Sequence, residues 1–230
     1  MVCQLNFMNA SNMEQPDWQA IAAQLRKPQG EMAHDIGIRM NQSNALINKF
    51  TLESLDLRAG MEILEIGMGN GHFIPDIFDI ADVRYTGMDY SKEMTLKAQE
   101  FNQALLAQNK VRFINCAIED FPASESLFDR IFTVNTLYFW DHPEKTLKVI
   151  RSLLHPNGQL CIAIRPKHVM EQHPFTNHGF KLFTRNDVCQ LLEANAFNTL
   201  AVIERKEDIV DSLGMPMQFE TLIVKAVKRF

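Results

Sequence analysis

The most constraining feature of the sequence is a glycine loop that directly follows an apolar run. The run 61–66 (MEILEI) leads into Gly67, Gly69 and Gly71, with one residue between successive glycines. A strand that ends in glycines and opens a helix brings main-chain atoms against a ligand, because a side chain there would collide with it. The pattern therefore predicts an α/β fold with a ligand site where the first core strand ends.

Short β-rich runs alternate with amphipathic stretches along most of the chain that follows. The predicted strands are 61–66, 83–88, 111–115, 128–134 and 159–164. Helices are predicted from about residue 71, over 91–107 and over 143–154. Alternation of this kind is typical of parallel βαβ units, so the predicted fold class is α/β with a doubly wound, mostly parallel sheet.

Local signals mark several element ends. Ser91 is a candidate N-cap, and Thr184 with Asp187 three residues later is a variant of the capping box. The tetrapeptide HPNG at 155–158 is predicted to end a helix and turn into the next strand, with Gly158 free to take a positive φ.

The alternation of predicted strands and helices stops in the C-terminal part of the chain. After a predicted helix over 185–197, two strand patterns at 200–206 and 219–227 follow with no strong helix between them. Strands joined without a crossover helix pair antiparallel, so the sheet is predicted to carry an antiparallel strand at its C-terminal end.

Two helices are predicted before the core, over 18–28 and 38–55. We interpret them as an N-terminal helical lid. The predicted domains are therefore a helical cap over 1–56 and a ligand-binding core over 57–230.

Composition excludes several function classes. The chain has 230 residues, 46% apolar and 22% charged, with a net charge of -5, which disfavours nucleic acid and anionic membrane surfaces as partners. No run approaches the roughly 18 apolar residues of a membrane span, and no signal peptide is recognisable. The scattered cysteines indicate reduced thiols in a cytoplasmic protein, with neither a zinc site nor a disulfide framework. They are Cys3, Cys116, Cys161 and Cys189.

The residues around the loop distinguish between ligands. A dinucleotide fingerprint, GxGxxG, would need glycine where His72 stands. Glu65 would repel a phosphate but attract an ammonium group. Asp89, at the end of the second strand, either accepts hydrogen bonds from ribose hydroxyls or caps the helix near Ser91. Tyr90 and Met94 either flank an adenine ring or belong to the core.

Three motifs together resemble those of class I S-adenosylmethionine-dependent methyltransferases. They are ExGxGxG at 65–71, GxDxSxxM at 87–94 and CAIEDFP at 116–122, and the likeness continues through 128–160. Residues 24–44 are similar to the N-terminal cap of a bacterial subgroup that acts on small molecules. The resemblance implies a Rossmann-like methyltransferase fold with S-adenosylmethionine as cofactor.

The resemblance also implies roles for individual residues. The loop of Gly67, Gly69 and Gly71 would lie under the methionine part of the cofactor, with Glu65 near its amino group.

Six further positions follow from the same resemblance. Asp89 would hold the ribose, Tyr90 and Met94 would border the adenine, and the Ile118 main chain with Glu119 would meet the adenine edge. One departure is Ala117, where the family often has an acidic residue. Asn135, where the fourth strand ends, would lie near the sulfonium and the methyl acceptor.

The residues that bind the methyl acceptor are harder to identify from the sequence. The predicted substrate-pocket residues are Met40, Asn44, Tyr138, Trp140 and His178. The aromatic residues among them have packing as an equal alternative. Asp141 is interpreted as the N-cap of the helix at 143, and His142 is either a base or a solvated residue of the first turn. Because Asn135 is neutral, no metal is predicted.

The resulting functional prediction is methyl transfer from S-adenosylmethionine to a small-molecule acceptor by in-line displacement, with no catalytic base assigned. Two alternatives remain at this point. One is an NAD-type oxidoreductase, which Asp89 suits. The other is a methyltransferase-like protein that binds the cofactor without turnover.

Overall fold

A seven-stranded sheet forms the centre of the molecule. The computed structural model describes residues 16–30, 32–122, 127–212 and 215–229, with side chains omitted for 209–217. The strand order is β3-β2-β1-β4-β5-β7-β6. The strands are β1 (Glu62–Ile66), β2 (Arg84–Met88), β3 (Val111–Ile114), β4 (Phe128–Val134), β5 (Leu154–Ile164), β6 (Phe197–Ser212) and β7 (Met215–Lys228).

Helices lie on both faces of this sheet and over the carboxyl ends of its parallel strands. They are α1 (Trp18–Arg26), α2 (Met32–Ser43), α3 (Ala45–Ser54), α4 (Ile74–Ile80), α5 (Lys92–Phe101), α6 (Gln103–Ala107), α7 (Pro143–Leu153), α8 (Lys167–Met170) and α9 (Arg185–Ala194). Both predicted caps are confirmed. The Ser91 hydroxyl accepts from the Met94 main chain at 3.2 Å, and Thr184 forms a reciprocal capping box with Asp187.

The pairing of the strands confirms the predicted fold class. The strands β1 to β5 pair parallel, whereas β7 pairs antiparallel with both β5 and β6. The last two strands form a long hairpin at one edge of the sheet, as the missing crossover helix predicts. The edge strand at the other end is β3.

Two predicted helices are each divided in the structure. The stretch predicted as one helix over 38–55 is two helices, α2 and α3, separated at Asn44, and α2 already begins at Met32. The stretch 91–107 divides into α5 and α6 at Asn102, whose side chain donates to the main-chain oxygens of Gly71 and Ala98, both at 3.0 Å. In each case the residue at the division makes a contact with a distant part of the chain, which local patterns do not encode.

The prediction for the HPNG tetrapeptide was right that a helix ends there, since α7 ends at Leu153, but wrong about the turn and about Gly158. Residues 155–158 do not form a separate turn but lie within β5, at a register shift opposite the start of β4. Gly158 does not take a positive φ. Glycine is needed there for a different reason: a Cβ would lie 2.6 Å from the main-chain oxygen of Phe128.

Two apolar clusters fill the space between the sheet and its helices. One contains Leu147, Ile150 and Leu153 of α7, packed on one face of the sheet. The other contains Ile47 and Leu52 of α3, together with residues of β1 and β4. Helix α3 therefore shares a core with the sheet, and the predicted domain division at residue 56 stays a prediction.

Two predictions from the composition can be compared with the structure. Cys161 and Cys189 are free thiols in the described part of the chain, whereas Cys3 lies outside it. None of the helices in the described ranges combines the length and the apolar character that a membrane-spanning segment needs.

Candidate active site

A cavity of about 390 Å³ lies between the carboxyl ends of the parallel strands and the N-terminal helices. Its floor comes from the segments that follow β1, β2 and β4, and its cover comes from α1, α2 and α3. The strand order reverses between β1 and β4, which is where ligands bind in open α/β sheets. The volume is within the roughly 300–1,000 Å³ typical of small-molecule sites.

The three positions of the glycine loop need glycine for different structural reasons. Gly67 has a φ of +75°, and a Cβ there would lie 2.4 Å from Cγ2 of Thr136, in the segment after β4. Gly69 lines the cavity, and its main-chain N–H donates to Asp89 at 3.0 Å. Gly71 is not among the cavity-lining residues. It lies against α5, where a Cβ would be 2.9 Å from Ala98 Cβ, so its part is close packing of the helix and loop.

Asp89 is the carboxylate that ties the loop to the second strand. One oxygen accepts from the Gly69 main chain, and the other accepts from the Ser91 main chain at 2.8 Å. Burial raises the pKa of Asp89 to about 6, against the opposing effect of these two hydrogen bonds. Since Ser91 supplies the cap hydroxyl for α5, Asp89 is free to present its carboxylate at the cavity wall.

Glu65 is a second buried carboxylate in the same cavity. The Tyr85 hydroxyl donates to it at 2.5 Å. Gly87 makes this possible, because a Cβ there would lie 2.9 Å from the Tyr85 hydroxyl oxygen and 2.2 Å from Met68 Sδ. Burial raises the pKa of Glu65 to about 7, with a smaller contribution from the nearby Asp89 charge. A cationic partner would stabilise the ionised form of a carboxyl group that is buried in this way.

One end of the cavity has the mixed apolar and polar walls that suit a heteroaromatic ring. The sequence-predicted residues Tyr90, Met94, Ile118 and Glu119 all line it, as does Ala117. The Glu119 carboxylate accepts a hydrogen bond from the Thr146 hydroxyl of α7, which fixes its position at this end.

The chain that leaves α1 forms a strap across this end of the cavity. The Tyr90 hydroxyl donates to the main-chain oxygen of Arg26, and the Ser91 hydroxyl donates to that of Pro28 at 2.5 Å. The Lys27 ammonium lies 5.1 Å from the centre of the Tyr90 ring. These contacts attach the N-terminal cap to the residues that follow β2.

A salt bridge joins the strap to the opposite rim. The Arg26 guanidinium lies 2.7 Å from the Asp141 carboxylate. Asp141 is therefore not the N-cap of α7, as the sequence suggested: the cap position belongs to His142, whose side chain makes no cap hydrogen bond. His142 is a solvated residue at the rim, with 62% of its side chain exposed.

At the other end of the cavity, two asparagine side chains meet. Asn135 ends β4 with a φ of +56°, a conformation that few residues other than glycine adopt and that asparagine tolerates best. Its Nδ2 donates to Asn44 Oδ1 at 3.0 Å. Its Oδ1 lies 3.1 Å from the Tyr138 hydroxyl and 3.2 Å from the main-chain nitrogen of Arg165. Strain of this kind is common where a side chain must be aimed at a ligand.

The structure separates the predicted substrate-pocket residues into two groups. Met40, Asn44 and Trp140 line the cavity. Tyr138 does not: it is buried behind Asn135, and its hydroxyl bonds to Arg165 instead. His178 is an exposed residue away from the cavity. The position of Tyr138 follows from the short 3₁₀ helix after β4 (Leu137–Phe139), in which Phe139 and not Tyr138 faces the cavity.

Several lining residues were not singled out from the sequence. They are Asn48, Asn70, Thr136 and Phe139. Helical spacing links Asn44 to Asn48 and is a signal that could have found the latter. No group of three or more potential metal ligands occurs in the described ranges.

Comparison with known proteins identifies the family. Residues 57–209 match the model of a family described as a methyltransferase domain. An uncharacterized methyltransferase of Bacillus subtilis, YdaC, is 30% identical over 132 residues, which are 57% of this chain and 71% of YdaC. A tRNA U34 carboxymethyltransferase of Campylobacter curvus is 29% identical over 103 residues, but the match covers 45% of this chain and 34% of that protein.

Solved structures agree on the fold. A putative methyltransferase in complex with the Haloferax volcanii activator Trm112 has a TM-score of 0.71 at 16% identity, covering 94% of this chain and 100% of the other. A SAM-dependent methyltransferase of Aquifex aeolicus has a TM-score of 0.63 at 18% identity, covering 90% and 97%. This family uses S-adenosylmethionine and not NAD, which removes the oxidoreductase alternative. The chain belongs to the class I S-adenosylmethionine-dependent methyltransferases.

Proposed function

We propose that the chain transfers a methyl group from S-adenosylmethionine to a small-molecule acceptor that binds in the cavity between the sheet and the N-terminal cap. The observation that carries this proposal is the cavity itself: about 390 Å³, lined by the glycine loop at one wall and covered by α2 and the strap. A covered cavity suits an acceptor that is enclosed with the cofactor rather than a long polymer.

We assign the parts of the cofactor to successive walls of the cavity. In the proposal, Glu65 pairs with the ammonium group, since a buried carboxyl with a raised pKa gains most from a cation. The glycine loop at Gly67 and Gly69 leaves room for the methionine chain. Asp89 accepts from the ribose hydroxyls with its remaining lone pairs.

The adenine end follows the same scheme. Tyr90 and Met94 border the ring, while Ile118 and Glu119 meet its edge. With Ala117 where the family often has an acid, the Glu119 carboxylate is the acidic group at this wall, and Thr146 holds one of its oxygens. Gly71 supports the site indirectly, by letting α5 pack closely under the loop.

The chemistry asks little of the protein beyond placement. Bound S-adenosylmethionine supplies an activated methyl group together with its leaving group. The chain's part is to hold the acceptor in line and to exclude water, and well-oriented reactants recover roughly 7–11 kcal/mol of the barrier. The cover formed by α2 and the strap excludes water. The salt bridge between Arg26 and Asp141 holds this cover in place.

The net charge of -5 and the covered cavity favour a small acceptor over tRNA, although some relatives carry tRNA in their names. The test is transfer of tritium from methyl-labelled S-adenosylmethionine to a metabolite extract and, in parallel, to total tRNA. We expect label in a low-mass product. Label in tRNA alone would contradict the proposed acceptor, and no transfer despite tight cofactor binding would favour a non-catalytic binding protein.

A matched pair of variants links any transfer to the cavity. Asp89→Ala removes the proposed ribose contact and should lower transfer at limiting cofactor. Asp79→Ala removes an exposed aspartate on α4 and should leave transfer unchanged. Equal activity of the two variants would place the reaction elsewhere.

A further inference from the structure

We infer that the acceptor is held through a carbonyl or carboxylate oxygen, which accepts hydrogen bonds from the side-chain amides of Asn44 and Asn135. This inference rests on the proposed function, because it concerns the same cavity. Both residues line the cavity, and both amides are joined in one hydrogen-bonded chain with fixed direction.

A main-chain N–H determines the direction of this series of hydrogen bonds. The nitrogen of Arg165 lies 3.2 Å from one end of the Asn135 amide, and a main-chain N–H is always a donor. This N–H donates to the Tyr138 hydroxyl at 2.6 Å and also faces the Asn135 amide. The facing atom is the oxygen of Asn135, since an amide nitrogen there would place two donors against each other. The Tyr138 hydroxyl, 3.1 Å from the same oxygen, adds a further polar neighbour.

The orientation of Asn135 then determines that of Asn44. With its oxygen facing Arg165, Asn135 directs its nitrogen towards Asn44, and the atom 3.0 Å away must be an acceptor. That atom is Oδ1 of Asn44. The Asn44 nitrogen with its two hydrogens is consequently on the other side of its amide. Both side-chain amide oxygens thus accept hydrogen bonds within the protein. The groups that remain for a ligand are N–H donors of the two amide nitrogens.

The surrounding structure holds this donor pair in place. Arg165 is itself buried and fixed, since its guanidinium pairs with Glu207, donates to Thr221 Oγ1 at 3.2 Å and lies 4.6 Å from the centre of the Phe219 ring. It also donates to the main-chain oxygen of Ser43 at 2.9 Å, directly before Asn44. A single buried arginine therefore contacts both sides of the pair, with its main-chain N–H at Asn135 and its guanidinium beside Asn44.

A pair of neutral N–H donors limits the chemical class of acceptor that can bind. The pair offers N–H groups to an oxygen lone pair, whereas its amide oxygens already accept hydrogen bonds within the protein. The acidic side chains that line the cavity, Glu65, Asp89, Glu119 and Asp141, have their own partners at other walls. Met40 and Phe139 supply apolar surface beside the pair. The acceptor class that fits is an apolar body bearing a carboxylate, ester, amide or ketone.

The test compares three matched probes on the protein saturated with S-adenosylhomocysteine: benzoate, benzamide and benzylamine, titrated by NMR. We expect benzoate and benzamide to bind at least about tenfold more tightly than benzylamine. In Asn44→Asp the order should reverse. This change keeps the oxygen that accepts from Asn135 but turns the free donor into an acceptor, and aspartate suits the start of α3.

The control is Asn198→Asp, which makes the same chemical change at an exposed position on β6 and should keep the native order. Equal affinities for the three probes, including no measurable binding of any, would overturn the inference, as would an unchanged order in Asn44→Asp. If S-adenosylhomocysteine itself fails to bind the native protein, the proposed function fails first and the inference with it.

Discussion

Replacing Gly67 by alanine should destabilise the protein through two separable effects. The first is conformational, because the φ of +75° at this position costs a residue with a Cβ about 1–2 kcal/mol. The second is steric, because the new Cβ would lie 2.4 Å from Cγ2 of Thr136. Overpacking of this kind costs about 1–3 kcal/mol, so Gly67→Ala should lose roughly 2–5 kcal/mol of unfolding free energy.

Two further variants separate the effects. Gly69→Ala meets only the conformational cost, since its φ is +58° and no atom lies within 4 Å of the added Cβ. We expect it to lose about 1–2 kcal/mol. Adding Thr136→Ser to Gly67→Ala removes Cγ2 and leaves Thr136 Cβ, at 3.5 Å, as the nearest atom of that residue. The double variant should recover the steric part, about 1–3 kcal/mol.

The measurement is urea-induced unfolding of the four proteins in the absence of cofactor, with Thr136→Ser alone as the fourth. The midpoints should rank Gly67→Ala lowest, with the double variant close to Gly69→Ala. If Gly67→Ala costs no more than Gly69→Ala, or if Thr136→Ser restores nothing, the close approach of the two loops is not as described.

Three further predictions concern buried charges. Asp89→Ala should weaken S-adenosylhomocysteine binding by at least about tenfold in calorimetry, since a charge-assisted hydrogen bond contributes roughly 1.5–3 kcal/mol; an unchanged affinity would remove Asp89 from the site. Burial raises the pKa of Glu65 from 4.5 to about 7, so the folded state binds the proton more tightly and the unfolding free energy of the cofactor-free protein should fall as pH rises through this window. Glu65→Gln should flatten that slope, and an identical slope would contradict the assignment. Arg165→Met leaves Glu207 buried without its partner and should cost about 3–5 kcal/mol, most of which Arg165→Met with Glu207→Leu should recover; equal losses in the single and double variants would refute this.

The sheet and the cofactor side were predictable because their determinants are local. The alternation of β-rich runs and amphipathic stretches specifies the parallel strands, and the glycine spacing after β1 marks where a ligand meets main chain. The absence of a helical pattern between the last two strands predicted their antiparallel pairing, which the structure confirms.

What the sequence did not reveal depends on contacts between distant residues. The division at Asn44 follows no glycine or proline, and its side chain meets Asn135 across 91 residues of chain. Tyr85 supports Glu65 only because Gly87 leaves space between them. Similarly, periodicity could not decide whether the aromatic at 138 or at 139 faces the cavity, because a 3₁₀ turn sets that orientation.

The central claim is that the turn after β1 and the acid after β2 bind one ligand together. A crystal structure with S-adenosylhomocysteine tests it most directly. We predict ligand density in the cavity, with the amino group at Glu65 and the ribose hydroxyls within hydrogen-bonding distance of Asp89. Density at another surface, or a ligand in the cavity with neither contact, would contradict the account.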